Sequence, residues 1–185
     1  MGRTGRSGRW TAGVVALLLL GGCGDSGGTG PAAGPPFPGS ASSLAGLGER
    51  VLAGLTAGDT LALDAVRLSE REHNEVIWPE LPAARPEVNF PVDLAWQNIQ
   101  LRNRRDLGRI LPWYLGRTPD FRSVQCRGER QEFASFAVLT DCYIVFATAA
   151  EGELEARVFK DVLVRNGGYK IFRYYDEAPR VHGGV

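Results

Sequence analysis

The segment 153–176, ELEARVFKDVLVRNGGYKIFRYYD, alternates apolar and polar residues with period two on both sides of Asn166-Gly167-Gly168. An Asn-Gly step supplies the positive φ of a tight hairpin turn, so two β-strands are expected here. The first places Leu154, Ala156, Val158, Val162 and Val164 on one face; the second sets Tyr169, Ile171, Arg173 and Tyr175 against Lys170, Phe172 and Tyr174. One face of this ribbon suits a core. Residues 121–127 and about 133–148 read as further strands of a twisted antiparallel sheet, with Gly128 and Gly152 at turns.

Between residues 42 and 111 the period lengthens to that of a helix. Ser42 or Ser43 caps a first helix to about Ala57, carrying Leu44, Leu47, Val51, Leu52 and Leu55 and stopped by Gly58. Asp59 caps a second, short helix with Leu61, Ala65 and Leu68 on one side. Ser69-Glu70-Arg71-Glu72 fits a capping box that opens a third piece to Ile77 or Trp78, which Pro79 ends. Residues 79–91, PELPAARPEVNFP, hold four prolines and form an irregular connection over the surface or around the rim of a cavity.

The next helix, about 92–111, places Val92, Trp96, Ile99, Gln100, Asn103, Leu107, Ile110 and Leu111 on one stripe, with Tyr114 in line beyond Pro112. Arg102, Arg105 and Asn98 lie opposite; Leu94 and Leu101 also point away from the stripe, towards the first helix. Asn103 is near the stripe's centre. A buried amide is costly without partners, so Asn103 and Gln100 need hydrogen bonds from the core, a strand edge, water or a ligand. Helices first and strands after predict an α+β domain over 41–176, with helices packed on one face of a curved antiparallel sheet and a flexible tail at 177–185.

The chain of 185 residues, 44% hydrophobic, supports one domain with a core. Its N-terminus has a different character. Arg3, Arg6 and Arg9 precede the apolar run 11–20, TAGVVALLLL, which ends in Leu20-Gly21-Gly22-Cys23. This order resembles a bacterial lipoprotein signal, and implies a signal peptide over 1–22, a lipidated, palmitate-bearing Cys23, and a domain held in the cell envelope (the periplasm or another space outside the cytoplasm). Residues 23–40 are nearly all Gly, Pro, Ala, Ser and Thr and read as a tether. Three of the 21 basic residues and none of the 21 acidic ones precede residue 24, so the mature balance is 18 − 21 = −3. That balance argues against electrostatic binding of nucleic acid or of anionic membrane by the folded part.

Export would place Cys126 and Cys142, on neighbouring expected strands, in an oxidising compartment, where a disulfide is favoured over two separate buried thiols. His73, in Glu70-Arg71-Glu72-His73-Asn74-Glu75, reads as part of a solvated helix face, because only His182 could add a second imidazole for a metal. No phosphate-binding loop or nucleophile elbow occurs, and no cofactor, metal or catalytic set is assigned.

The LTAGDTLAL helix junction, the long helix before the strands and the closing NGGYKIFRYYDEA are similar to features of the nuclear-transport-factor-2-like superfamily, the cystatin-like α+β cone that includes SnoaL-like proteins. The resemblance, over about 42–176, implies a sheet curled around a pocket closed by helices, with homodimers formed through open sheet faces. Isomerases and epoxide hydrolases of that superfamily carry their acids and bases in the pocket, while many members have no known reaction. An aromatic wall with convergent polar groups makes Trp78, Glu80, Trp96, Gln100, Asn103 and Tyr143 the candidate ligand-binding residues. Against each stands an ordinary core or surface role. The favoured expectation is a non-catalytic envelope lipoprotein that binds a small apolar ligand or an envelope protein. The alternatives are an isomerase or hydrolase using Asp141 or Glu80, and a purely structural protein with a filled cone.

Overall fold

The computed structural model describes residues 34–183. The signal peptide, Cys23 and the first part of the tether lie outside the described residues.

Helix α1, Leu44–Ala57, begins where Ser43 Oγ accepts the Gly46 N–H at 3.0 Å, and ends where Gly58 turns left-handed at φ 67°. Asp59 Oδ1 accepts from the N–H groups of Leu61 and Ala62 and starts α2, Thr60–Ala65. Helix α2 buries Leu63, followed by Val66 and Leu68, and leaves Leu61 81% exposed. The expected Leu61/Ala65 face is therefore corrected. With one and a half turns, α2 is oriented by the core that α1 already offers, and Leu63 fits beside Gly54, where any Cβ would collide with it.

The Ser69–Glu72 capping box forms as expected and opens α3, Glu70–Glu72. The chain then widens into a π turn, His73–Ile77, and tightens into two short 3-10 turns, Trp78–Glu80 and Pro82–Ala84. Pro79 thus sits inside a turn instead of ending the helix. Helix α4, Val92–Tyr114, continues through Pro112 for one turn beyond the expected end. Leu94 and Leu101 are exposed and do not meet α1, which corrects the expectation for both.

The strands are β1, Asp120–Cys126; β2, Arg130–Glu132; β3, Ala137–Leu139; β4, Cys142–Thr148; β5, Gly152–Ala156; β6, Val162–Arg165; β7, Gly168–Ile171; and β8, Arg180–Val181. They form two antiparallel sheets, ordered β1-β4-β5-β8 and β2-β3-β6-β7. The registers run on from one sheet into the other: Cys126 faces Cys142 and, past the corner, Arg130 faces Leu139. Arg127 N–H to Asp141 O and Gly128 N–H to Thr140 O bridge the gap. Likewise Ile144 faces Ala156, and Leu139 faces Val162. The sheets are therefore two arms of one bent surface, and the chain turns the same corner at 127–129, 140–141 and 157–161. Asp141 takes φ 56° there. The expected run 133–148 is divided by this corner into β3 and β4.

The first strand of the expected hairpin is divided in the same way into β5 and β6. Its inward face nonetheless holds: Leu154, Ala156, Val158, Val162 and Val164 are all buried in one cluster with Ile144 and Phe146, against α1 and the Leu107, Ile110, Tyr114 side of α4. The turn at Asn166 and Gly167 has φ 43° and 75°, the paired positive values of a type I′ hairpin. Tyr169 bonds in both directions with Ala41, and Ile171 bonds with Val66 and Leu68, so the free edge of β7 is covered.

The second face of β2-β3-β6-β7 is covered too. Leu163 points away from Val162 and Val164 and packs with Phe37, Leu68, Ile77 and Phe136. Elements therefore pack on both faces of this arm, where helices were expected on one. Phe37, read as tether, is 2% exposed. The segment beyond Asp176, read as a flexible tail, supplies β8 at the edge beside β5.

Candidate functional site

The sequence-predicted ligand residues fall into four separate places. Trp78, Trp96 and Gln100 come together. The π turn brings His73 between the two indoles, its ring centroid 5.6 Å from Trp78 and 5.3 Å from Trp96. His73 is 1% exposed, which corrects the solvated-face reading, and its Nδ1 lies 2.7 Å from Asn74 Oδ1. Desolvation holds its pKa below the ordinary value, against smaller opposing effects of Asn74 and Glu70. The Arg67 guanidinium lies 5.7 Å from the Trp96 ring centroid and donates to Gln100 Oε1 at 3.4 Å. Beside this stack Trp96, Gln97, Gln100, Leu101 and Arg104 line an open groove of about 340 Å³ along one flank of α4.

Glu80 is elsewhere. Its carboxylate accepts from Ser135 Oγ and, at 3.2 Å, from the Ser135 N–H, pinning the loop between β2 and β3 where Phe133 and Phe136 stack. Asn103 faces the core. Its Oδ1 accepts the Tyr174 backbone N–H at 3.0 Å, so it is a structural amide that joins α4 to the chain after β7. One turn on, the wholly buried Asp106 accepts from Arg173 Nη1 at 2.8 Å and from Arg105 Nε at 2.7 Å. Asn103 and Asp106 together latch the helix to residues 173–174. The apolar face-mates of the hairpin complete a packed cluster at this interface, and Trp96 is not part of it.

Tyr143 lies on β4, in the other arm. Its hydroxyl donates to Asp141 Oδ1 at 3.1 Å, and its ring is surrounded by the guanidinium groups of Arg127, Arg157 and Arg180 at 4.7, 5.6 and 5.2 Å. The charge of that cluster is internally answered. Glu155, 3% exposed, accepts from Arg127, Arg180 and His182. These bonds, Arg127's foremost, hold its pKa down to about 2 against the cost of burial. Arg157 pairs with Asp141 and Glu177. Asp141 and Glu80, the two carboxylates considered for catalysis, are thus each committed to a structural contact.

Cys126 and Cys142 are cross-strand partners and are joined by a disulfide, which ties β1 to β4 at the corner where the chain passes between arms. Among the described residues no group of three or more His, Cys, Asp or Glu side chains is placed to hold a metal ion, and no helix is long and apolar enough to cross a membrane.

Sequence reasoning missed Arg67, His73, Leu101 and Arg104 around the groove. The signal for Leu101 was present: it falls on the side of α4 opposite its core stripe, where an apolar residue has no intramolecular reason to be apolar. Compared with protein-family models, with curated proteins and with solved structures, the chain matches none of them.

Proposed function

We propose that this chain is a lipid-anchored protein of the bacterial envelope, held through Cys23, whose α+β domain is of the cone-like, nuclear-transport-factor-2-like kind and works by binding instead of catalysis. The bent sheet with helices in its concavity is in keeping with that kind of domain, as is the order of helices before strands. The observation that carries the binding role is the composition of the groove on α4: an indole, two amides, a leucine and a guanidinium, with no carboxylate among its lining residues. General acid–base chemistry needs a titratable group within reach of a second polar group in a cavity, whereas recognition needs apolar contact area and a few directed polar groups. His73, buried behind Trp96, supports the wall of this groove.

Two measurements test the reading. Labelled palmitate should enter the protein, and Cys23→Ala should release it from membranes; unchanged fractionation contradicts the anchor. Native mass spectrometry of the protein extracted from its own envelope should show a bound species that Arg104→Glu removes. An adduct-free spectrum identical for both proteins contradicts a role in binding a small ligand.

A further inference from the structure

We propose that the outward face of α4 docks on an anionic lipid surface. The inference rests on the reading above and deepens it by naming what the α4 face meets. Trp96, Asn103, Asp106, Ile110 and Tyr114 point into the protein. At 100° per residue the opposite side places Leu94, Leu101, Gly108 and Pro112 along one line. Leu94 is 47% and Leu101 61% exposed, and Leu115, just past the C-terminal end of the helix, is exposed too.

Arginines border this line on both sides. Arg104 flanks one edge beside the groove, Arg102 and Arg109 flank the other, and Arg105 lies near the centre. The carboxylates of α4 are Asp93, in its first turn, and Asp106, which is buried and held by Arg105 and Arg173. Arg109 also meets Asp176, while Arg102 and Arg104 have no carboxylate partner among the described residues. A helix of 23 residues is about 34 Å long, so this is a long, narrow apolar stripe with guanidinium groups along both margins. Such a stripe fits the boundary of a bilayer: leucines enter the acyl–headgroup region and arginines take phosphate oxygens in pairs.

The net charge of −3 argues against attraction by the domain as a whole, but not against attraction by this one face. Screening confines electrostatic attraction to about 10 Å, so the patch that faces the lipid decides, not the sum over the domain. Reach is not limiting either. From Cys23 to the buried Phe37 there are 37 − 23 = 14 residue steps, at most about 50 Å when fully extended. The domain is therefore held within its own dimensions of the bilayer, and a weak surface contact is repeated at high local concentration.

The test uses the mature acylated protein with vesicles of phosphatidylcholine alone or mixed with phosphatidylglycerol, each carrying a trace of dansyl-headgroup lipid. Energy transfer from Trp78, Trp96 and Trp113 reports the height of the domain. Transfer should be higher on the anionic vesicles. High salt, Arg102→Glu/Arg104→Glu, or Leu101→Asp should each return it to the phosphatidylcholine level, with unchanged melting temperatures since all three positions are exposed. Equal transfer on both vesicle types overturns the proposal, and is the result expected if the stripe instead meets a protein. Failure to sediment with phosphatidylcholine contradicts the anchor alone. In that event, sedimentation with anionic vesicles that Arg102→Glu/Arg104→Glu abolishes still supports docking, and no sedimentation overturns it.

Discussion

The Asn103 side chain and the Tyr174 backbone meet across 71 residues of sequence, with Asn103 Oδ1 accepting the Tyr174 N–H at 3.0 Å inside the core. A polar residue on the inward stripe of α4 is thus a clamp between the helix and the chain that follows β7. Asn103→Leu leaves that N–H buried without an acceptor and should cost about 1–3 kcal/mol in denaturant unfolding. Binding by the purified protein should be unchanged once the variant is folded. A variant of native stability that no longer binds would make Asn103 a ligand contact after all.

Tyr114 gives the converse test. Its hydroxyl is buried and has no hydrogen-bond partner among the described residues, and burial pushes its pKa far up. Removing an unsatisfied group relieves a desolvation cost, so Tyr114→Phe should be neutral or stabilising by up to about 1 kcal/mol. A melting temperature clearly lowered by this change would mean that the hydroxyl holds a bound molecule in the core.

Lys170 and Glu72 form a buried ion pair at 2.8 Å, 4% and 7% exposed, between β7 and α3. Glu72 also closes the capping box, taking the N–H and hydroxyl of Ser69 at 2.8 Å. Lys170→Met strands that carboxylate and should cost about 3–5 kcal/mol, because the remaining charge stays buried. Glu72→Gln keeps a capping side chain, so the double variant Lys170→Met/Glu72→Gln should be more stable than Lys170→Met alone. Chemical denaturation of the three proteins decides it. A double variant at least as unstable as the single one would mean that the pair itself contributes most of the stability.

Acid should weaken the fold in two stages. The buried His73 has a folded pKa below its ordinary value of 6.5. The unfolded chain therefore binds more protons as the pH drops below 6.5, and stability falls. Glu155 has a folded pKa of about 2 against an ordinary 4.5. Its contribution is complete above about pH 5 and is lost as the pH falls towards 2. His73→Phe should flatten the upper stage and Glu155→Gln the lower one. Melting temperatures between pH 8 and 3 give the comparison; identical slopes in the variants would assign the acid response to other groups.

What was legible in the sequence was whatever is held by neighbours along the chain. Ser43, Asp59 and the Ser69–Glu72 box announce helix starts because a cap is satisfied within three residues. Asn166-Gly167 announces its hairpin because the turn's own geometry requires it. The inward alternation through Val158 and Val162 survived even where the strand bends between two arms, since burial follows side-chain direction and not strand continuity. What was not legible depends on partners distant in sequence. Lys170 looks like an outward strand residue until Glu72, 98 residues away, is set against it. His73 turns inward because two tryptophans enclose it, one of them on α4. Phe37 looked like tether because the surface that receives it comes from Leu68, Ile77, Phe136 and Leu163. The candidate pocket failed for the same reason: Asn103, Glu80 and Tyr143 share residue types suited to ligands, but each is taken by a different structural contact.

The most direct measurement is carbene footprinting of the protein in its native envelope and again after purification in detergent, read peptide by peptide. The account predicts that residues 94–105 of α4, with exposed Leu94 and Leu101, are protected in the envelope and labelled once purified, and that Arg102→Glu/Arg104→Glu abolishes the protection while the exposed Leu61 is labelled equally throughout. Equal labelling of α4 in both settings would contradict it.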